Sequence, residues 1–428
     1  MAGLRNKPLA QAEYHGKALT IEYKSLQATL HTEASNDSDV CHVANREFVL
    51  VDLVGDPHRT PCRAVLAQIV VDGKNLLTAT VALLDNATEV DELQLRMAIR
   101  RLDPTTALPQ VVISGYTGGA HCCTATAVAT VGAAGRWQLV DLGSIDGDGG
   151  FDFLDLNHDG SAVFVDIAGE FLYRFASYAG SNAPTRIRRL TGTAVEDVTR
   201  DSRYHSFLLG ELKAMERAHA QDPSQEVNGY LAGWVAQKAL VGEFEDAWPV
   251  MLASYDHGST DGLSRCAVDE RVWDKQSGLC PDDQEILDPF PEVLALFLVE
   301  QGYITSAQST ALGYDPVKIA ANRKTATNAA TDRYEQQMSE RWFIINREGI
   351  CVLARAPASP AELITGDRAK GLEDDITALE TDQGGKPLAV RVSQPRGGGL
   401  VSTLTFYRGS AKCEAVRQRQ HEQLENLR

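Results

Sequence analysis

Short runs of β-branched and aromatic residues dominate the first half of the chain. LTIEY (19–23), EFVLVDLVG (47–55), RAVLAQIVVDG (63–73) and LLTATVALLDN (76–86) are separated by Gly, Asn and Asp, the punctuation of strands and tight turns. In LQLRMAIRRLD, Leu93, Leu95, Met97 and Ile99 alternate with polar or small residues, which predicts a half-buried strand. The pattern continues after Pro109 through QVVISGY, TATAVATVG, WQLVDLG, AVFVDIAG, FLYRFASY and TRIRRL, ending at Leu190. So many strands without a clean long repeat predict an N-terminal all-β domain, sandwich or propeller-like, over residues 14–200.

At Asp201 the period lengthens to that of a helix. RYHSFLLGELKAMERAHA, EVNGYLAGWVAQKAL, EFEDAWPVMLASYD and FPEVLALFLVEQGYI predict a helical domain over 201–335, with Gly242 closing a helical hairpin. Ala232, Gly233, Ala236 and Ala239 give one helix a small-residue side on which another helix can approach, and Trp234, Trp248 and Leu252 are expected in the core. The polar, Ala/Thr-rich stretch 306–338 reads as a helical linker or the last helices of the bundle. A small α+β domain follows over 340–415. In it WFIINREGICVLARA is strand, turn, strand, Ser359 and Pro360 open a helix, and KPLAVRVSQP pairs with LVSTLTFYRG across RGGG. The fold class is therefore multidomain α+β, with a charged helical tail from Glu414.

Composition narrows the function classes. The 428 residues carry a net charge of −17, and no basic stretch offsets it, which argues against nucleic acid and anionic membrane surfaces as partners. A basic protein or a divalent cation remains compatible. No run nears the roughly 18 apolar residues that a membrane-spanning helix needs, so no transmembrane segment is predicted. The N-terminus MAGLRNKPLAQAEYHG lacks the apolar core of a signal peptide, so the protein is either cytosolic or stripped of its leader. The eight cysteines decide between the two. They fall into local sets, Cys41 with Cys62, Cys122 with Cys123, Cys266 with Cys280 and Cys351 with Cys413, the last tying the first and last strands of its domain. Domain-wise pairing fits an oxidising compartment, periplasmic or secreted.

Two motifs carry candidate chemistry. Asp155, Asn157, Asp159 and Gly160 form D-x-N-x-D-G, the alternation of oxygen ligands and sharp Gly turn of a Ca²⁺ loop. Asp166 would close a twelve-residue loop, about the length an EF-hand uses. A shorter loop would need an acid where Val163 stands, with Asp146, Asp148 and Asp152 as upstream donors. The alternative is an Asp/Asn turn satisfied by its own backbone. The second motif is the turn holding Tyr116, Gly118, Gly119, His121, Cys122 and Cys123. A vicinal Cys122–Cys123 bond would present a flat, rigid, apolar face beside His121 and would leave no thiolate for nucleophilic chemistry. Tyr173 and Tyr178 are expected to be half-buried strand aromatics.

SGYTGGAHCCT (114–124), DLNHDG (155–160) and FLYRFASYAGSNAP (171–184) resemble a group of exported proteins of proteobacteria with a GGAHCC motif. The last two also resemble one blade of the FG-GAP/VCBS type, in which an Asp-rich turn between strands binds Ca²⁺. NGYLAGWVAQKALVGEFEDAW and FPEVLALFLVEQGY share the likeness to the exported group. The resemblance implies compartment and layout, and no reaction. The reading is a non-catalytic exported binding protein for a glycan, an envelope component or a protein, including an inhibitor or immunity role. The alternatives are a hydrolase using His121 with nearby carboxylates such as Asp146, Asp148 or Asp155, and a structural scaffold.

Overall fold

Leu95, Met97 and Ile99 turn inward together, as their alternation requires, the last two in a strand at Arg96–Arg100 that belongs to the middle layer of a stack of β sheets. The computed structural model describes residues 5–35, 51–53, 62–84, 94–117, 123–132, 134–147, 149–222, 226–273, 278–346, 349–354, 375–396 and 400–425. They pack as two units, Met1–Leu263 with Pro289–Ser309, and Ser264–Asp288 with Thr310–Arg428.

In the first unit the middle sheet runs Ala10–Glu13, Arg96–Arg100, Gln110–Tyr116, Thr124–Val131, Trp137–Ile145 in spatial order, all antiparallel. One face, with Met97, Ile99, Val111 and Ile113, shares a core with Leu26, Leu30, Val65 and Ile69. Those residues come from a second sheet of Leu19–Tyr23, Leu26–Ser35, Cys62–Val71, Lys74–Leu84 and Val51–Leu53. The other face, with Val112, Val128 and Leu142, packs on Phe151 and on Phe164 and Leu190 of a four-stranded sheet of Asp152–Leu154, Val163–Ile167, Thr185–Thr191 and Ala194–Asp197. Covering on both faces explains why every residue of QVVIS and TATAVAT but Ser114 is buried, the threonines 124, 126 and 130 included. Each fully buried Leu, Ile or Phe contributes about 1.5–3 kcal/mol, so this double-faced layer dominates the unit's stability.

The helices of this unit are α1 (His205–Gln221), α2 (Val227–Leu240), α3 (Phe244–Ser254) and α4 (Phe290–Glu300). Gly242, at φ +80°, makes the α2–α3 turn that the sequence predicts. Trp234 and Trp248 are buried as expected, but Leu252 is 42% exposed, because Trp248 and Met251 occupy the inner face of α3. The small-residue side of α2 meets an extended chain segment and not a helix. A Cβ on Gly229 would lie 2.4 Å from the Gly180 carbonyl oxygen, and one on Gly233 would lie 2.2 Å from that of Asn182. Gln237, fully buried, locks the crossing by accepting from the Thr185 N–H (2.8 Å) and donating to the Leu208 carbonyl (3.0 Å).

FLYRFASY is not a strand. A 3₁₀ turn at Gly169–Phe171 leads into a loop in which Phe171 and Phe175 both meet Phe297 edge-on, at 4.9 and 5.4 Å. Tyr173 lies between them at φ +60° and is 63% exposed, so it is neither half-buried nor in a sheet.

In the second unit, Ser264–Cys266 pairs with Glu285–Leu287, and a Cys266–Cys280 disulfide closes the connection. Helix α5 (Pro316–Glu340) starts on an Asp315 cap that accepts from the Val317 and Lys318 N–H groups. A five-stranded sheet follows in the order Cys351–Leu353, Trp342–Ile345, Leu400–Arg408, Pro387–Arg396, Asp375–Thr381, with α6 (Ser410–Glu425) after it. The Cys351–Cys413 bond ties a strand to α6, where the sequence suggested strand to strand. The helix expected at Ser359 lies outside the described residues.

Candidate functional site

Tyr116 ends its strand opposite Thr124, so the two motif-bearing strands meet at a paired base. Thr117 secures that base: its N–H donates to the Cys123 carbonyl at 2.9 Å, and its hydroxyl accepts from the Cys123 N–H at 3.1 Å. Thr124 Oγ1 donates to the Gly147 carbonyl at 2.6 Å, joining the stem to the Asp-rich segment that follows. Cys123 is disulfide-bonded, as is Cys62. Gly118, Gly119, His121 and Cys122 lie outside the described residues, as do Cys41 and Asp148. The expected Cys122–Cys123 and Cys41–Cys62 pairings therefore fall there too.

The DLNHDG turn is held by its own side chains. Asp155 accepts from the Asp159 N–H (3.1 Å) and the Gly160 N–H (3.0 Å), and Asp159 accepts from the Ser161 N–H (2.8 Å) and its hydroxyl. The Ser161 hydroxyl holds the Asp159 carboxyl below the usual carboxylate range. Asn157 reaches out of the turn to the Tyr204 hydroxyl at 3.3 Å. Asp166 is held apart from these three. Its side chain is 1% exposed and bonds Arg186 (2.8 Å) and Arg188 (3.0 Å), a charge cluster inside the four-stranded sheet. Among the described residues no group of three or more His, Cys, Asp or Glu side chains is placed to hold a metal ion.

Where Asn157 meets Tyr204, the turn and the start of α1 enclose an open groove of about 540 Å³. Leu156, Phe207 and Ala214 form its apolar wall, and Arg203 and Arg217 its basic edges. Glu211 faces it, and among the described residues no side chain hydrogen-bonds or ion-pairs with this carboxylate. Burial raises the Glu211 carboxyl above the ordinary glutamate range, more than the N-terminal ammonium lowers it. Leu208 and Leu212 anchor the opposite face of α1 in the core. Gly210 sits on the groove with open space around its Cβ position, so it keeps the groove wide. Sequence reasoning passed over this site. The signal was present in Phe207, Gly210, Glu211, Ala214 and Arg217, spaced along one helical face, with a glycine inside a run of strong helix formers.

A family model described as the sll0997 C-terminal domain matches residues 208–302, which include the groove face of α1 from Gly210 onward and all of α2, α3 and α4. The chain is 36% identical over 239 residues to the probable thylakoid lumen protein sll0997 of Synechocystis, covering 55% of this chain and 67% of that protein. It is 30% identical over 270 residues to protein y4bJ of Sinorhizobium fredii, covering 60% of this chain and 40% of that one. The chain thus spans about two thirds of the first relative's length and two fifths of the second's. No solved structure matches it.

Proposed function

The chain belongs to the family of the probable thylakoid lumen protein sll0997, and on that premise we propose that it is an extracytoplasmic, non-catalytic binding protein whose ligand enters the groove between α1 and the Asp155–Gly160 turn. The lumenal name of the relative and the oxidised state of Cys62, Cys123, Cys266, Cys280, Cys351 and Cys413 support the compartment. No helix among the described residues is long and apolar enough to cross a membrane.

One observation carries the groove assignment. Glu211 is a carboxylate stripped of part of its water, and among the described residues no side chain donates to it, which leaves room for a donor from outside. A ligand with an ammonium or amide N–H for Glu211 and an apolar body for Leu156, Phe207 and Ala214 meets that need. The volume suits a compact ligand or a short stretch of polypeptide. The test is a titration of the ¹⁵N-labelled full chain with a fractionated cell-envelope extract, alongside Ala214→Trp, which fills the groove. Shifts at α1 in the wild type that vanish in Ala214→Trp support the reading. No shifts, or equal shifts in both proteins, refute it.

A further inference from the structure

In the loop after the 3₁₀ turn at Gly169–Phe171, the packing of Phe171 and Phe175 on Phe297 asks for a left-handed residue at position 173 but does not ask for a tyrosine. Tyr173 adopts φ +60°, a region costing a bulky L-residue about 1–2 kcal/mol, and one that Gly or Asn would occupy more easily. Its ring adds little to the core, since the residue is 63% exposed. Instead it stands beside the ring of Tyr178, centroids 5.5 Å apart and planes tilted by 39°. Strain kept at an exposed aromatic residue points to a task for the ring itself.

The loop is also rigid. The Tyr173 N–H donates to Ser181 Oγ at 3.0 Å, and that hydroxyl donates to the Ser177 carbonyl at 2.8 Å. The Ser177 N–H donates to Glu226 Oε2 at 2.6 Å, and the Ser177 hydroxyl donates to the other carboxylate oxygen. Phe175 and Gly180, either side of this network, are clamped against α4 and α2. The exposed Tyr173 ring is thus pre-positioned beside Tyr178, on a loop that also carries the hydroxyl groups of Ser177 and Ser181 and is bonded to the Glu226 carboxylate.

We propose that the Tyr173–Tyr178 pair is a stacking platform for a neutral pyranose ring of an extracytoplasmic oligosaccharide. The C–H face of such a ring lies on an aromatic face while its hydroxyls reach polar neighbours, which is what amphipathic tyrosines flanked by Ser177, Ser181 and Glu226 offer. A protein partner would bury roughly 800 Å² a side around an apolar centre, and here two rings stand among polar groups. The Glu226 carboxylate and the chain's net charge of −17 favour a neutral glycan over an acidic one. The inference shares the compartment of the function proposed above and does not depend on the groove.

The test is calorimetric titration of the full chain with chitotetraose and with cellotetraose, both neutral. At least one binds, Tyr173→Phe keeps that affinity, and Tyr173→Ala or Tyr178→Ala weakens it about tenfold or more, a loss of about 1.4 kcal/mol. Tyr173→Gly abolishes binding yet raises the melting temperature, because it relieves the strain; a structural tyrosine would lower it. Glu211→Gln and Ala214→Trp leave saccharide binding unchanged, so the groove and the platform fail separately. The proposal is overturned if neither tetrasaccharide binds, if Tyr173→Ala binds like the wild type, or if Tyr173→Gly melts lower.

Discussion

Gly233 and Asn182 approach so closely that any side chain at position 233 would collide with backbone: its Cβ would stand 2.2 Å from the Asn182 carbonyl oxygen and 3.1 Å from the Ala183 N. Backbone cannot swing aside as a long side chain can. Gly233→Ala should therefore destabilise the first unit by about 3 kcal/mol in urea titration, despite the better helix propensity of alanine. Gly210 is the control in the same bundle. Its Cβ position is empty, so Gly210→Ala should gain about 0.5–1 kcal/mol while narrowing the groove.

Asp166 is the anchor for two guanidiniums inside the four-stranded sheet. Asp166→Asn takes the bonded carboxylate from the half-buried Arg188 and leaves Arg186 only Glu170, at 3.6 Å. A fully buried pair broken this way loses about 3–5 kcal/mol, and partial exposure of the arginines lowers the expected loss to about 2–3 kcal/mol. Replacing Arg188 by Met in the same chain should recover part of it, a coupling that chemical denaturation of the four variants measures.

Glu211 gives the pH dependence a direction. Its carboxyl titrates higher in the folded chain than in the unfolded one, so between those two values the folded state binds more protons. Its contribution is complete below the unfolded value, near pH 4.3 for a free glutamate, and is lost as pH rises through the raised folded value. Glu211→Gln should flatten that fall and leave the chain more stable at neutral pH. Asp201 acts in the opposite sense. Hydrogen bonds from Arg203 hold it at about 2, so its contribution is present above the unfolded value and is lost as pH falls toward 2. Melting temperatures of wild type and Glu211→Gln across pH 3–8 separate the two.

The disulfides of the second unit differ in the loops they close. Cys351–Cys413 spans 62 positions and Cys266–Cys280 spans 14. Chain entropy assigns them about 4 and 3 kcal/mol. Replacing Cys351 and Cys413 by serine should therefore lower the unfolding midpoint of this unit further than replacing Cys266 and Cys280. Reductant should abolish the difference between the variants.

Much of the fold was legible because local pattern and tertiary environment agree. Leu95, Met97 and Ile99 alternate and are buried together, and the Gly242 break falls where α2 gives way to α3. The pattern misled where one residue carries a special conformation. Phe171, Tyr173 and Phe175 look like a strand face, but φ +60° at Tyr173 turns the chain so that the phenylalanines reach α4 and the tyrosine does not. Leu252 misled in the same way, since a single step of helix rotation past Met251 carries it outside. Of the expected site residues, Asp155, Asn157 and Asp159 stand together in one turn and Asp166 stands with its arginines. The groove beside that turn was missed because it needs α1 and residues about 50 positions earlier to meet, which no local signal encodes.

The most direct test of the binding role is hydrogen–deuterium exchange on the full chain, with and without the envelope fraction that perturbs its spectrum. Protection concentrated in residues 205–221 and 154–160, and absent in Ala214→Trp, is the predicted result. Protection confined to other segments, or none at all, would contradict it.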